Sequence, residues 1–100
     1  MKVFVTLSAD EKSVRLEGDD KIGMAVFYCQ WQTRLWPDWR RQSILKMQHE
    51  RVLADIRNEG SVLISYVDRV FQEAVLDAMD ICKDMGIDVR WGFGRPPRRL

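Results

Sequence analysis

The chain has 100 residues, of which 46% are hydrophobic and 31% charged, with a formal net charge of +1. That is enough for one domain whose core needs no disulfide or metal staple. It is too apolar for a disordered chain, and its near-neutral total weighs against a dedicated nucleic-acid domain, which usually shows a clear basic excess.

The longest apolar run, GMAVFYC, is far short of a membrane span. The N-terminus, MKVFVTLSADE, reaches acidic residues too early for a secretory signal, so a cytoplasmic protein is expected.

Residues 2–8 place Val3, Val5 and Leu7 on one face, and residues 13–17 continue with Val14 and Leu16 inward. This period of two predicts a half-buried β-hairpin, although the link ADEK lacks the Asn-Gly or Asp-Gly of the tightest turns. Residues 20–35 read as a largely buried helix with a polar strip of Gly23, Gln30 and Arg34. Their Val, Phe, Tyr and Trp content also suits a strand, though an unusually long one. Pro37 supplies the break that follows.

From Asp38 to Asn58, Leu45, Val52, Leu53 and Ile56 recur at threes and fours, and Gly60 offers a left-handed cap. Residues 61–85 carry a polar stripe opposite an apolar one and read as a long helix ended by Gly86. Their opening, SVLISYV, is β-prone, so a strand followed by a shorter helix stays open. Ile87, Val89, Trp91 and Phe93 alternate with polar residues as a final strand.

These faces assemble into an α+β two-layer sandwich. An N-terminal β-hairpin and a C-terminal strand form a small sheet, packed against two or three helices that include a long helical hairpin over about 38–85. Residues 1–94 make one globular domain and 95–100 a basic flexible tail.

No catalytic set emerges. Every His-dependent arrangement rests on the single His49, which amid KMQHER reads as an exposed helix position. No histidine or cysteine stands at a ligand spacing from it, so no zinc site is expected. Asp77, Asp80 and Asp84 share one helix face, where solvation is a better reading than a cation site. Cys29 and Cys82 read as free, buried thiols. The Gly-x-Gly of GFGRPP has proline where a dinucleotide fingerprint needs glycine. A non-enzyme without cofactor or metal is expected.

What remains is WQTRLWPDWRRQ, residues 31–42. Tryptophan and arginine dominate binding hot spots, and Arg40 and Arg41 at a helix start oppose the helix dipole. Trp31 is assigned to the core. Trp36, Trp39, Arg40, Arg41 and Arg34 form the candidate partner-binding set, with at least one of the Trp36 and Trp39 rings exposed. Arg95, Arg98 and Arg99 are candidate tail contacts.

Charge alternates along the chain. Residues 1–20 carry 3 basic against 5 acidic groups, 21–60 carry 7 against 4, 61–87 carry 2 against 5, and 88–100 carry 4 against 1. Such blocks suit charge complementarity, within the chain, with a protein partner or in a homodimer, better than one uniform nucleic-acid face.

The expectation is a small protein-binding module (a regulator, inhibitor or assembly factor of the kind encoded by phages and mobile elements). The alternative is a nucleic-acid binder using the Arg/Trp junction and the basic tail. No membrane partner is expected.

Overall fold

The computed structural model describes residues 1–65 and 69–92. The predicted tail at 95–100, with Arg95, Arg98 and Arg99, lies outside the described residues, as does Phe93.

The hairpin forms as its alternation requires. Strands β1 (Val3–Leu7) and β2 (Ser13–Gly18) pair antiparallel, with Val5 opposite Leu16 and Leu7 opposite Val14. The turn is built by side chains instead of Asn-Gly. Ser8 Oγ accepts from the Lys12 and Ser13 amides at 3.2 and 3.1 Å and donates to Asp10 Oδ1 at 2.5 Å. The Ser8 hydroxyl's bond first, and then the Lys12 amide's to Asp10 Oδ1 at 3.1 Å, hold the Asp10 carboxyl below its usual pKa. β2 ends at Gly18, whose φ of +141° suits glycine. A Cβ there would stand 2.2 Å from the Lys2 carbonyl oxygen.

Helix α1 (Lys21–Leu35) resolves the helix-or-strand ambiguity of residues 20–35 in favour of helix. Its start is fixed locally, since the buried Asp20 accepts from the Gly23 amide at 2.8 Å, satisfying one orphan donor of the first turn. Gly23 admits that carboxylate, because a Cβ would press on Asp20 Oδ2 at 2.4 Å and on Ile87 at 2.9 Å. The helix stops at Trp36, just before Pro37.

Beyond Pro37 the chain first makes a single 3-10 turn, Trp39–Arg41, and helix α2 (Ser43–Glu59) begins after it. Gly60 ends α2 in the left-handed region at φ 66°, as its position predicts.

Residues 61–65 then form strand β3 (Ser61–Ser65) and α3 runs from Arg69 to Asp84, so the expected long helical hairpin is interrupted by a strand. The reason is tertiary. β3 adds to β2, with Val62 opposite Leu16 and Ile64 opposite Val14, so its β-branched residues extend the apolar face of the sheet. Gly86, at φ 83°, follows α3, and strand β4 (Val89–Trp91) pairs parallel to β1.

Among the described residues the result is a four-stranded mixed sheet in the order β3-β2-β1-β4, with three helices packed on it. α1 lies against β1 and β2 and contacts both α2 and α3; α2 reaches β3 and α3 reaches β4. Val3, Val5, Val14, Leu16, Val62 and Val89 from the sheet meet Met24, Phe27, Trp31, Ile56, Val75 and Met79 from the helices in one core. The opposite sheet face carries exposed Arg15, Glu17, Leu63 and Arg90. Among the described residues, no helix is long and apolar enough to cross a membrane.

Candidate functional site

The Trp/Arg stretch splits into an inside and an outside. Trp31 belongs to the core, as its position predicts. Trp39 also turns inward and is only 5% exposed. Its ring stacks on His49 at 4.1 Å between centroids, and its Nε1–H donates to Thr33 Oγ1 at 3.0 Å. Tyr28 also stacks on His49, at 5.2 Å between centroids. The Arg40 guanidinium lies over the Trp39 ring at 4.4 Å and reaches Cys29 Sγ at 3.7 Å. Tyr28, His49, Trp39 and Arg40 thus form a continuous stack that pins the 3-10 turn to α1 and α2. Stacking and cation–π contacts contribute about 0.5–1.5 kcal/mol each beyond area burial.

His49 is therefore not the exposed helix residue that KMQHER suggests; it is buried. A signal for this was present, since position 49 falls four residues after Leu45 and seven before Ile56, on the same helix stripe.

Its tautomer is set by Gln32. The Gln32 amide nitrogen donates to the Leu45 carbonyl at 3.2 Å, leaving Oε1 to accept from His49 Nδ1. An amide oxygen only accepts, so the neutral imidazole carries its proton on Nδ1. Burial pushes the His49 pKa below the usual histidine value, the Arg40 charge pushes it further, and Glu50 partly opposes. A neutral, doubly stacked imidazole is a structural member of this layer.

Trp36 turns outward. It caps α1 through its amide, which donates to the Gln32 carbonyl at 2.8 Å, and its side chain is 44% exposed. Arg41 is exposed. Arg34 reaches Asp77 on α3 at 3.5 Å, a partly exposed pair worth under about 1 kcal/mol.

Two further exposed apolar side chains, which the sequence reading did not single out, follow directly: Ile44 at 67% and Met47 at 57%. Three residues apart on α2, they are surface neighbours. Both fall off the stripe of Leu45, Val52, Leu53 and Ile56, and that offset was their available signal.

The sequence around them is basic. Between residues 34 and 51 stand Arg34, Arg40, Arg41, Lys46 and Arg51 against Asp38 and Glu50. α2 also begins without a side-chain cap or an acid in its first turn, so its positive dipole end is not neutralised by its own residues.

Elsewhere the described residues offer less chemistry. Both cysteines are free, Cys82 buried and Cys29 only partly so. Burial raises the Cys82 thiol to about 11. Among the described residues, no three His, Cys, Asp or Glu side chains converge as metal ligands. Asp77 of the acidic α3 face is engaged by Arg34. Compared with protein-family models, curated proteins and solved structures, the chain matches none.

Proposed function

We propose that this protein is a non-catalytic protein-binding module, acting through the surface formed by Trp36, Ile44 and Met47 and rimmed by Arg41 and Lys46. The observation that carries the reading is the run of three large apolar side chains left exposed within twelve residues of a chain that buries its other tryptophan in this stretch. Trp36 would be the anchor, because an exposed indole gains most from desolvation in a partner's pocket.

The exposed cations at its rim, Arg41 and Lys46, select a partner whose contact surface is apolar at the centre and acidic at the rim. The free thiols fit a reducing, cytoplasmic setting. A protein partner is favoured over nucleic acid by the fate of the arginines. Arg40 is committed to Trp39 and Cys29, Arg34 to Asp77, and Trp39 is unavailable for base stacking.

The reading is tested by affinity capture from the encoding cells, comparing the wild type with a Trp36→Ala/Ile44→Ser/Met47→Ser variant, alongside anisotropy titrations of labelled DNA and RNA. An acidic protein retained by the wild type, released by salt and lost from the variant is expected. Salt-sensitive nucleic-acid binding that survives in the variant would replace this reading with the nucleic-acid one.

A further inference from the structure

A second surface carries its own inference. β3 stands at one edge of the sheet, and its five residues, Ser-Val-Leu-Ile-Ser, contain no charge, proline or glycine. Edge strands of natural proteins are ordinarily protected by such residues, because an unprotected edge is a template for pairing.

Main-chain directions on this edge follow from the hairpin. The Ser8 amide donates to the Ser13 carbonyl at 2.9 Å, which turns the backbone of Ser13, Arg15 and Glu17 towards β1. Val14, Leu16 and Gly18 therefore turn towards β3. Independently, the Val5 carbonyl accepts from the Gly92 amide on the β4 side, as the same alternation demands. With Val62 opposite Leu16 and Ile64 opposite Val14, the N–H and C=O groups of Ser61, Leu63 and Ser65 point away from the sheet, off its edge.

The strand also reads nearly the same in both directions. We propose that the β3 edge pairs antiparallel with β3 of a second copy, about a two-fold axis through Leu63. That register places Ser61 opposite Ser65 of the partner subunit and Leu63 opposite its own equivalent. On the inner face it sets buried Val62 beside Ile64 of the partner subunit, and Ile64 is only half-buried in the monomer. It forms about six main-chain hydrogen bonds and joins the two sheets into one.

The occupant is a second copy because the strand is complementary to itself. An isologous two-fold contact requires a patch that matches its own inverse, and no charge lies along β3 to be left facing its like. It also accounts for Leu63, a leucine 54% exposed on the outer sheet face, which becomes a cross-strand Leu–Leu pair.

The test has two arms. Sedimentation equilibrium of the full chain is expected to show a concentration-dependent dimer. A Leu63→Lys variant, which puts like charges opposite each other across the axis, is expected to weaken association about tenfold or more. In the unsubstituted protein, amide hydrogen exchange followed by NMR at two concentrations reads the register directly. The Ser61, Leu63 and Ser65 amides slow as concentration rises, while Val62 and Ile64, bonded to β2, stay protected throughout. A chain that remains monomeric at millimolar concentration overturns the proposal. So does a dimer in which the Ser61, Leu63 and Ser65 amides exchange independently of concentration.

Discussion

Removing the Trp39 side chain tests whether the 3-10 turn is a packed element or a surface loop. In Trp39→Ala the indole that rests on His49 is lost, the Thr33 hydroxyl loses its donor, and the Arg40 guanidinium loses its ring. Truncating a buried tryptophan costs about 3–5 kcal/mol, of which the indole hydrogen bond accounts for about 1 kcal/mol and the stacking for about another. A domain of this size has only about 5–15 kcal/mol in hand. With a urea slope of about 2 kcal/mol per molar, the unfolding midpoint should fall by about 2 M. The assay is urea denaturation followed by far-UV circular dichroism, since tryptophan fluorescence changes with the mutation itself. Trp36→Ala is the matched control, expected within about 0.5 kcal/mol of wild type. A loss below about 1 kcal/mol for Trp39→Ala, or equal losses for the two variants, would refute the division into an inward and an outward tryptophan.

Three further outcomes follow from the same geometry. His49 has a depressed pKa in the folded state, so between that value and the unfolded value near 6.5 the unfolded chain binds the extra proton. Its contribution is complete above about pH 6.5 and is lost as pH falls towards the folded pKa. Stability should therefore decline from pH 7.5 to 5.5, and His49→Gln should flatten that slope in parallel urea titrations. Asp20→Ala removes the α1 cap and should cost about 1 kcal/mol, measured by thermal unfolding, while the same change at exposed Asp55 should cost little. Gly18→Ala forces a Cβ onto the Lys2 carbonyl at a positive φ. It should lose about 1–3 kcal/mol, whereas Gly86→Ala, with open space around it, should lose only the φ penalty of about 1 kcal/mol.

Elements stabilised by their own residues were legible in the sequence. The hairpin declares itself through the alternation of Val3, Val5 and Leu7 against Val14 and Leu16. α1 was ambiguous by composition: Pro37 marked where it stops, but the Asp20 cap that fixes its start was not singled out. β3 was legible only as one of two readings, because its conformation depends on β2 supplying a pairing edge for Val62 and Ile64. No local propensity decides that.

The start of α2 came out five residues late for a similar reason. Trp39 is drawn inward by His49 and Thr33, on the two flanking helices, and the chain tightens into a 3-10 turn to deliver it. The candidate site was half legible. Residue type picked out Trp36 and Arg41, but the outward placement of Ile44 and Met47 required knowing which stripe of α2 the rest of the molecule covers. His49 was misread because its neighbours in sequence are polar, whereas its neighbours in space are aromatic.

The most direct test of the protein-binding surface is site-specific photo-crosslinking in the encoding cells, with the photoreactive residue placed at position 47 and, as control, at position 85. Met47 and Met85 are equally exposed, at 57% each, and occupy different surfaces. A discrete protein adduct is expected from position 47, absent from position 85 and abolished by Trp36→Ala. Adducts of equal yield from both positions, or a nuclease-sensitive adduct at position 47, would contradict it.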